Sequence, residues 1–438
     1  MREAFNLKTD FPSSGPGILN HDLKHRLTTA IRHSSPKTAQ PAPTAPQTLL
    51  QTLRTKIRTH ILTHLPSESR LISSLQSYTP NPIITLSTHL GSLGSHTAFL
   101  LFLPPLFWIS QSPQTHIFAR HLVNISALGV YLSSISKDYL CLPRPLAPPV
   151  QRYSSSKSVS REYGFPSTHT TNAVSIALYI ALWTLFAWSE SLTTSQQISI
   201  IGACILYGSL IPLSRILTGM HSLTDICGGA ILAVSLTLSQ YFIFMPIVET
   251  VIKWDSGLVP IGAGLLGLGM LWTHPYPEGF CPCWEDDVAF QGVVWGVFGG
   301  GWRNAGREVT NVDGDLGWGM IALKLLLGTI MIAAYRIVAK KAVRNILTVV
   351  YQASGWPVST VSDPAAETTH DVNVPVAAAA EPAPATGKIH SAPVPASSQK
   401  VYVLPMWDVR WMTTYVVYAG IGWMATDGVV AALRLLGL

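Results

Sequence analysis

Three observations predict an all-α, polytopic membrane protein. The chain is 48% hydrophobic and only 12% charged, about half the charged share of a soluble globular domain. Its mean hydropathy is positive, +0.31. Apolar runs recur along it at lengths near the ~20 residues that a helix needs to cross a bilayer.

The chain opens on a polar arm, residues 1–46, that closes on a Pro/Ala/Thr stretch and is expected to be disordered. Residues 47–80 carry apolar side chains at helical spacing, with Arg54, Lys56, Arg58 and Arg70 between them. That pattern fits an amphipathic helix on the membrane surface, and equally an ordinary solvated helix. Residues 81–250 hold five apolar runs: 93–109, broken at Pro104-Pro105, then 117–136, 172–188, 198–213 and 226–248. Residues 251–345 add 258–272, a short glycine-rich run at 288–302 that either spans or re-enters, and 316–338 with Lys340, Lys341 and Arg344 behind it. An Ala/Pro-rich loop expected to be disordered covers 358–400. Residues 401–438 end the chain with one more span.

Composition excludes some partners. The net charge of +6 suits anionic lipid headgroups and is too weak and dispersed for nucleic acid. The five cysteines imply no disulfide framework. Cys281 and Cys283 are the one close pair, and their spacing differs from that of zinc knuckles. They read as loop packing, with a metal site the weaker alternative, and no cofactor is expected. No short apolar core with a cleavage site precedes the first span, so that span is expected to act as the insertion signal. The sequon at Asn124 lies inside an apolar run and is expected to stay unmodified. A homodimer is compatible with this composition.

The densest group of ionisable residues lies between two apolar runs: Ser214-Arg215, then His221, then Asp225. Ionisable groups at a membrane boundary are costly to place and mark function. His221 and Asp225, four apart, share one face of a helix. The carboxylate then holds one ring nitrogen and frees the other to react. Upstream, Lys137 and Arg144-Pro145 are seven apart, two helical turns, so both face one way before Pro143 and Pro145 stop the helix. Pro166-Ser167-Thr168-His169 follows, with Ser167 as a natural N-cap. His169 stands in the first turn, where a helix start attracts phosphate. Each residue alone has an ordinary reading: a flanking cation, a helix cap, a loop histidine. Parity joins them. Lys137 to His169 share one loop, and two spans separate His169 from Arg215, so the whole set returns to one face of the membrane.

Such a set suits phosphoryl transfer. His221 attacks phosphorus, Asp225 orients it, and His169 protonates the leaving alkoxide and then activates water. Lys137, Arg144, Arg215 and Ser167 hold the phosphate oxygens. No carboxylate cluster for magnesium or His/Cys set for zinc accompanies them, so no metal is expected.

These three motifs resemble those of the type 2 phosphatidic acid phosphatase superfamily, which holds lipid phosphatases and vanadium haloperoxidases. Thr168 stands where that family usually has glycine, as in its sphingosine-1-phosphate phosphatase branch. Lys137-Asp138 and the stretch from Cys281 to Phe290 are similar to fungal long-chain-base-phosphate phosphatases. The resemblance implies a six-helix phosphatase core with extra C-terminal transmembrane helices, and Thr168 beside Ser167 in the phosphate site. It implies removal of phosphate from sphingoid base phosphates in the endoplasmic reticulum membrane, with the site facing the lumen. Asp138 or Glu162 is a candidate for recognising the base's ammonium. Phosphatidate, lysophosphatidate or polyprenyl diphosphate are alternative substrates. A transporter or non-catalytic scaffold is the reading from another class.

Overall fold

Caps and prolines set the start of several helices. In the computed structural model, residues 48–109, 112–153, 162–275, 281–305, 317–355 and 408–438 are described. The arm over 1–46 and the loop over 358–400, both expected to be disordered, lie outside the described residues. The chain divides between Thr55 and Lys56 into two units, and the second, Lys56–Leu438, carries every side chain of the candidate site. No strand occurs among the described residues.

The first helix, α1, spans Leu49–Tyr78. Helix α2 (Asn81–Ser92) precedes the first apolar run, which is split into α3 (His96–Phe102) and α4 (Pro105–Ile109). Helix α5, Pro113–Leu140, opens on proline, whose missing N–H costs nothing at a helix start. It stops at Cys141, which turns left-handed at φ 48°. That stop precedes Pro143, so Lys137 and Arg144 do not share a helix face. Arg144 approaches from the loop instead.

Helices α6 (Thr168–Phe186), α7 (Thr194–Leu217) and α8 (Leu223–Ile252, with a π-turn at Gln240–Phe244) complete the core. Ser167 caps α6 by accepting from Thr170 N. Thr193 with Gln196, and Ser222 with Asp225, form reciprocal capping boxes on α7 and α8, each satisfying two otherwise orphaned N–H groups. Further on lie α9 (Leu258–Trp272), α10 (Cys283–Asn304), α11 (Trp318–Ser354) and α12 (Val409–Leu435).

Among the described residues, α7, α8, α11 and α12 are long and apolar enough to cross a membrane. Their exposed faces are apolar, as at Ile205, Ile231, Leu326 and Ile337. Helix α5 is more polar because it runs inside the bundle. Its Arg120 and His121 both pair with Glu249 of α8, at 2.6 and 2.9 Å, and Gln240 meets the other ring nitrogen of His121 at 3.0 Å. Such groups face the bundle interior rather than lipid. Phe118, Tyr179 and Trp183 pack around them in the main core.

The glycine-rich run 288–302 lies within one continuous helix of 22 residues, about 33 Å long. Gly292, Gly296 and Gly300 recur every fourth residue and lie against Tyr415, Ala419 and Thr426 of α12, where a Cβ on any of them would collide. Close approach at small residues is how membrane helices gain packing energy in the absence of a hydrophobic drive.

Candidate active site

Four chain segments meet at one end of this bundle: the C-terminus of α5, the N-terminus of α6, the C-terminus of α7 and the N-terminus of α8. Ser167 N donates to Asp225 O at 3.1 Å and Gly164 N to Leu142 O at 2.7 Å, so the loops are joined by backbone hydrogen bonds. Both motif-bearing connections therefore sit on one face, as the span parity requires.

His221 occupies the turn between α7 and α8, one residue before the N-cap Ser222. It is thus outside the helix that holds Asp225, and the pair meets across a capping turn rather than along a helix face. Its Nδ1 lies 3.4 Å from Asp225 Oδ2, and the same oxygen accepts from Ser222 N at 2.9 Å. The capping box thereby fixes the carboxylate that faces the imidazole. On the other side, His221 Nε2 is 3.2 Å from Arg144 Nη1. That guanidinium also donates to Met220 O at 2.8 Å. His221 is 1% exposed. Burial, and then the charges of Arg144, Arg215, Lys137 and His169, hold its pKa well below the usual histidine value. The ring is therefore neutral near pH 7, the form a nucleophile requires.

Lys137 and Arg144 converge on one carboxylate. Glu162 Oε2 lies 3.2 Å from Lys137 Nζ and 3.1 Å from Arg144 Nη2, and Arg144 Nε donates to Glu162 O at 3.1 Å. Burial lowers the Arg144 pKa, opposed by Glu162 and Asp225. Arg215, buried at the end of α7, packs against Gly91 of α2, where a Cβ would crowd its Nη1 at 2.9 Å. His169 is half-buried, and its ring faces Gly94. Ser167 Oγ accepts from Thr170 N at 3.3 Å and Thr170 Oγ1 at 3.0 Å. Thr168 is buried as the first residue of α6.

The two carboxylates weighed for ammonium recognition are differently placed. Glu162 holds the two cations together. Asp138 is buried at 1% exposure and faces His274, 3.8 Å away. It turns away from Lys137's partner, because adjacent residues on a helix do not share a face.

Several contributors have no local signal in the sequence. Gly164 fits between Pro143 O, Asp225 Oδ2 and Arg144 Cα, at 2.9, 3.1 and 3.2 Å from where its Cβ would stand. Gly219, at φ +68°, turns the chain into His221 beside Gln151 O, in a conformation that side chains resist. Helix α1 straps the catalytic loops. Arg58 donates to Leu140 O and Cys141 O. Ser69 Oγ accepts from Leu146 N at 3.0 Å, and Gln76 Nε2 bonds Gln151 O and Leu217 O at 2.7 and 3.0 Å. Glu68 receives Thr224 Oγ1 at 2.5 Å and Thr224 N at 3.3 Å, which adds a carboxylate to the first turn of α8.

Residues 118–248 match the PAP2 superfamily. The chain is 30% identical over 364 residues to a dihydrosphingosine 1-phosphate phosphatase of Schizosaccharomyces pombe, covering 82% of this chain and 85% of the relative. It is 32% identical to a dihydrosphingosine 1-phosphate phosphatase of Saccharomyces cerevisiae, over 53% of this chain and 56% of that one. It is also 27% identical to sphingosine-1-phosphate phosphatase 2 of Homo sapiens, over 49% of this chain and 50% of the relative. No solved structure matches the chain.

Two outcomes test this geometry. Glu68→Ala removes hydrogen bonds worth about 1.5–3 kcal/mol to a charged acceptor. It should lower kcat while leaving KM nearly unchanged; an unaltered kcat contradicts the strap's positioning role. Lys137→Met removes one cation that depresses His221, so the acid limb of kcat/KM should move to higher pH. A limb that stays in place or moves lower contradicts the electrostatic assignment.

Proposed function

This chain belongs to the PAP2 superfamily, and on that premise we propose that it releases phosphate from sphingoid base phosphates through a phosphohistidine intermediate. The observation that carries the mechanism is the setting of His221. Its Nδ1 faces Asp225 and its Nε2 faces the Arg144 guanidinium. Nε2 is thus the nitrogen turned toward the cationic group that a phosphate would enter.

The lone pair of Nε2 attacks phosphorus in line with the ester oxygen. The P–N bond forms as the P–O bond to the lipid breaks. His169, protonated, gives its proton to the departing alkoxide, which leaves as the long-chain base. Asp225 stabilises the imidazolium that develops on His221. Lys137, Arg144 and Arg215 draw in the negative oxygens, with Ser167 and Thr168 beside them at the helix start. His169, now neutral, takes a proton from water, the hydroxide attacks phosphorus, and inorganic phosphate leaves His221 restored. The fixed cations do the charge work, so the chemistry needs no divalent ion.

The substrate assignment rests on the names of the relatives together with the site's place at the end of apolar helices. An amphiphile keeps its tail in lipid and offers its phosphate at that boundary. Glu162 is the acidic group nearest the cradle and, within this reading, faces the ammonium once phosphate has taken over its two cations. The protein is multi-pass, and this reading places it in the endoplasmic reticulum with the site toward the lumen. Helix α1 then lies on the lumenal side as well, since it straps the catalytic loops.

Purified protein should release phosphate from dihydrosphingosine 1-phosphate, and do so in excess EDTA. Phosphatidate, lysophosphatidate and a polyprenyl diphosphate should be poorer substrates. His221→Ala should abolish turnover, and His169→Ala should lower it by about 10²–10⁴-fold. Activity that dies with EDTA and returns with magnesium, or a His221→Ala variant that keeps its rate, refutes the mechanism. A preference for phosphatidate refutes the substrate assignment alone.

A further inference from the structure

One buried cluster has no part in this chemistry. It lies where the last turn of α5 meets the connection from α9 to α10. Asp138, Cys281 and Cys283 are all buried there, and their ligand atoms lie within 4.8 Å of one another. His274 Nε2 stands 3.8 Å from Asp138 Oδ2 and 2.9 Å from Asp287 Oδ2. Its Nδ1 is 3.0 Å from Pro275 O, a pure acceptor, so Nδ1 carries a proton and Nε2 faces the carboxylates of Asp287 and, farther off, Asp138. Asp138 supplies a separate observation. It is 1% exposed, and neither carboxylate oxygen has a hydrogen bond among the described residues. A buried carboxylate without a hydrogen bond is strongly disfavoured unless cations meet it, and His274 is the one cationic side chain paired with it among the described residues.

We propose that Asp138, Cys281 and Cys283 form a metal site of the zinc class, with His274, beside Asp138, as the nearest imidazole to complete it. The donor set decides the ion. Two thiolates, one imidazole and one carboxylate suit zinc, and they fit magnesium or calcium poorly. With His274 as the fourth donor the site would have no open position, which makes it structural rather than catalytic. A hydrogen bond from Nδ1 to a carbonyl is the usual way that a liganding imidazole is oriented. Binding releases the two thiol protons. Spacing alone argues against this reading, since one residue between the cysteines is shorter than in zinc knuckles. The fold removes the objection, because the third and fourth donors come from other segments.

The structure pairs Cys281 with Cys283. That pairing and an ion are alternative uses of the same two sulfurs. The site's place gives it a consequence. Asp138 follows Lys137 directly, so an ion would tie the cradle's lysine-bearing turn to the start of α10. It would sit behind Lys137 and away from the reacting phosphorus.

The test is metal content of the full chain, expressed in zinc-containing medium and purified in detergent without chelator. About one zinc per chain is expected, falling at least fivefold in Asp138→Asn and in Cys283→Ser. His221→Ala, which should not turn over, should keep its zinc, so failure of this site and failure of the catalytic reading are separable. Should either variant fail to fold, cobalt(II) added to reduced wild-type protein should give thiolate charge-transfer absorption, which alkylation of the thiols prevents. Wild-type protein without zinc and without that absorption overturns the site. So does a zinc content unchanged by both folded variants, or peptide mapping that finds Cys281 and Cys283 joined in every molecule.

Discussion

Everything at the catalytic end depends on one imidazole held between a carboxylate and a guanidinium. His221 is buried, so its protonation state is set by neighbours rather than by water. Asp225 reaches it at 3.4 Å and Arg144 at 3.2 Å, and the two act in opposite senses. The carboxylate favours a charged ring and fixes its orientation. The guanidinium, with the other cations, keeps the ring neutral until an anion arrives. A phosphate that neutralises those cations removes the force that held the imidazole uncharged. On the proposed mechanism, nucleophile and phosphate cradle are coupled through charge.

That coupling demands accurate placement of loops that come from four helices. The capping box at Ser222 sets Asp225, the same residue's carbonyl receives Ser167 N, and Gly164 lets the Arg144 loop approach. Helix α1 then binds both loops from outside. Its hydrogen bonds run mostly to backbone carbonyls and amides, so it fixes chain path rather than side-chain chemistry. The cost of ordering long polar loops is met by these contacts and by the bundle below.

The residues that meet at the candidate site were legible in the sequence because each carries chemistry and because parity is a counting argument. His221, Asp225, His169, Lys137, Arg144 and Arg215 needed only residue type, spacing and the number of intervening spans to be placed on one face. The shape of their encounter was not legible. Helical spacing put Lys137 with Arg144 and His221 with Asp225 on shared helix faces. The helices instead stop at Cys141 and start after Ser222, and loops make both meetings. Glu162 bridging two cations, Glu68 capping α8 and Gly164 filling a narrow gap are long-range contacts without a local pattern. The glycines of α10 were visible as composition. Their meaning appeared only with the partner helix, whose carbonyls and side chains occupy the space that each missing Cβ leaves.

The most direct measurement is chemical trapping of the intermediate. The protein is mixed with dihydrosphingosine 1-phosphate labelled with ³²P, quenched within one turnover, and mapped by peptide. Label should be found on the peptide that holds His221, stable to alkali and labile to acid, and absent from His221→Ala. It should accumulate in a variant of His169 supplied with a substrate whose leaving group needs no proton. Rapid phosphate release from wild-type protein with no labelled peptide at any quench time, or label on a different residue, would contradict a nucleophilic His221.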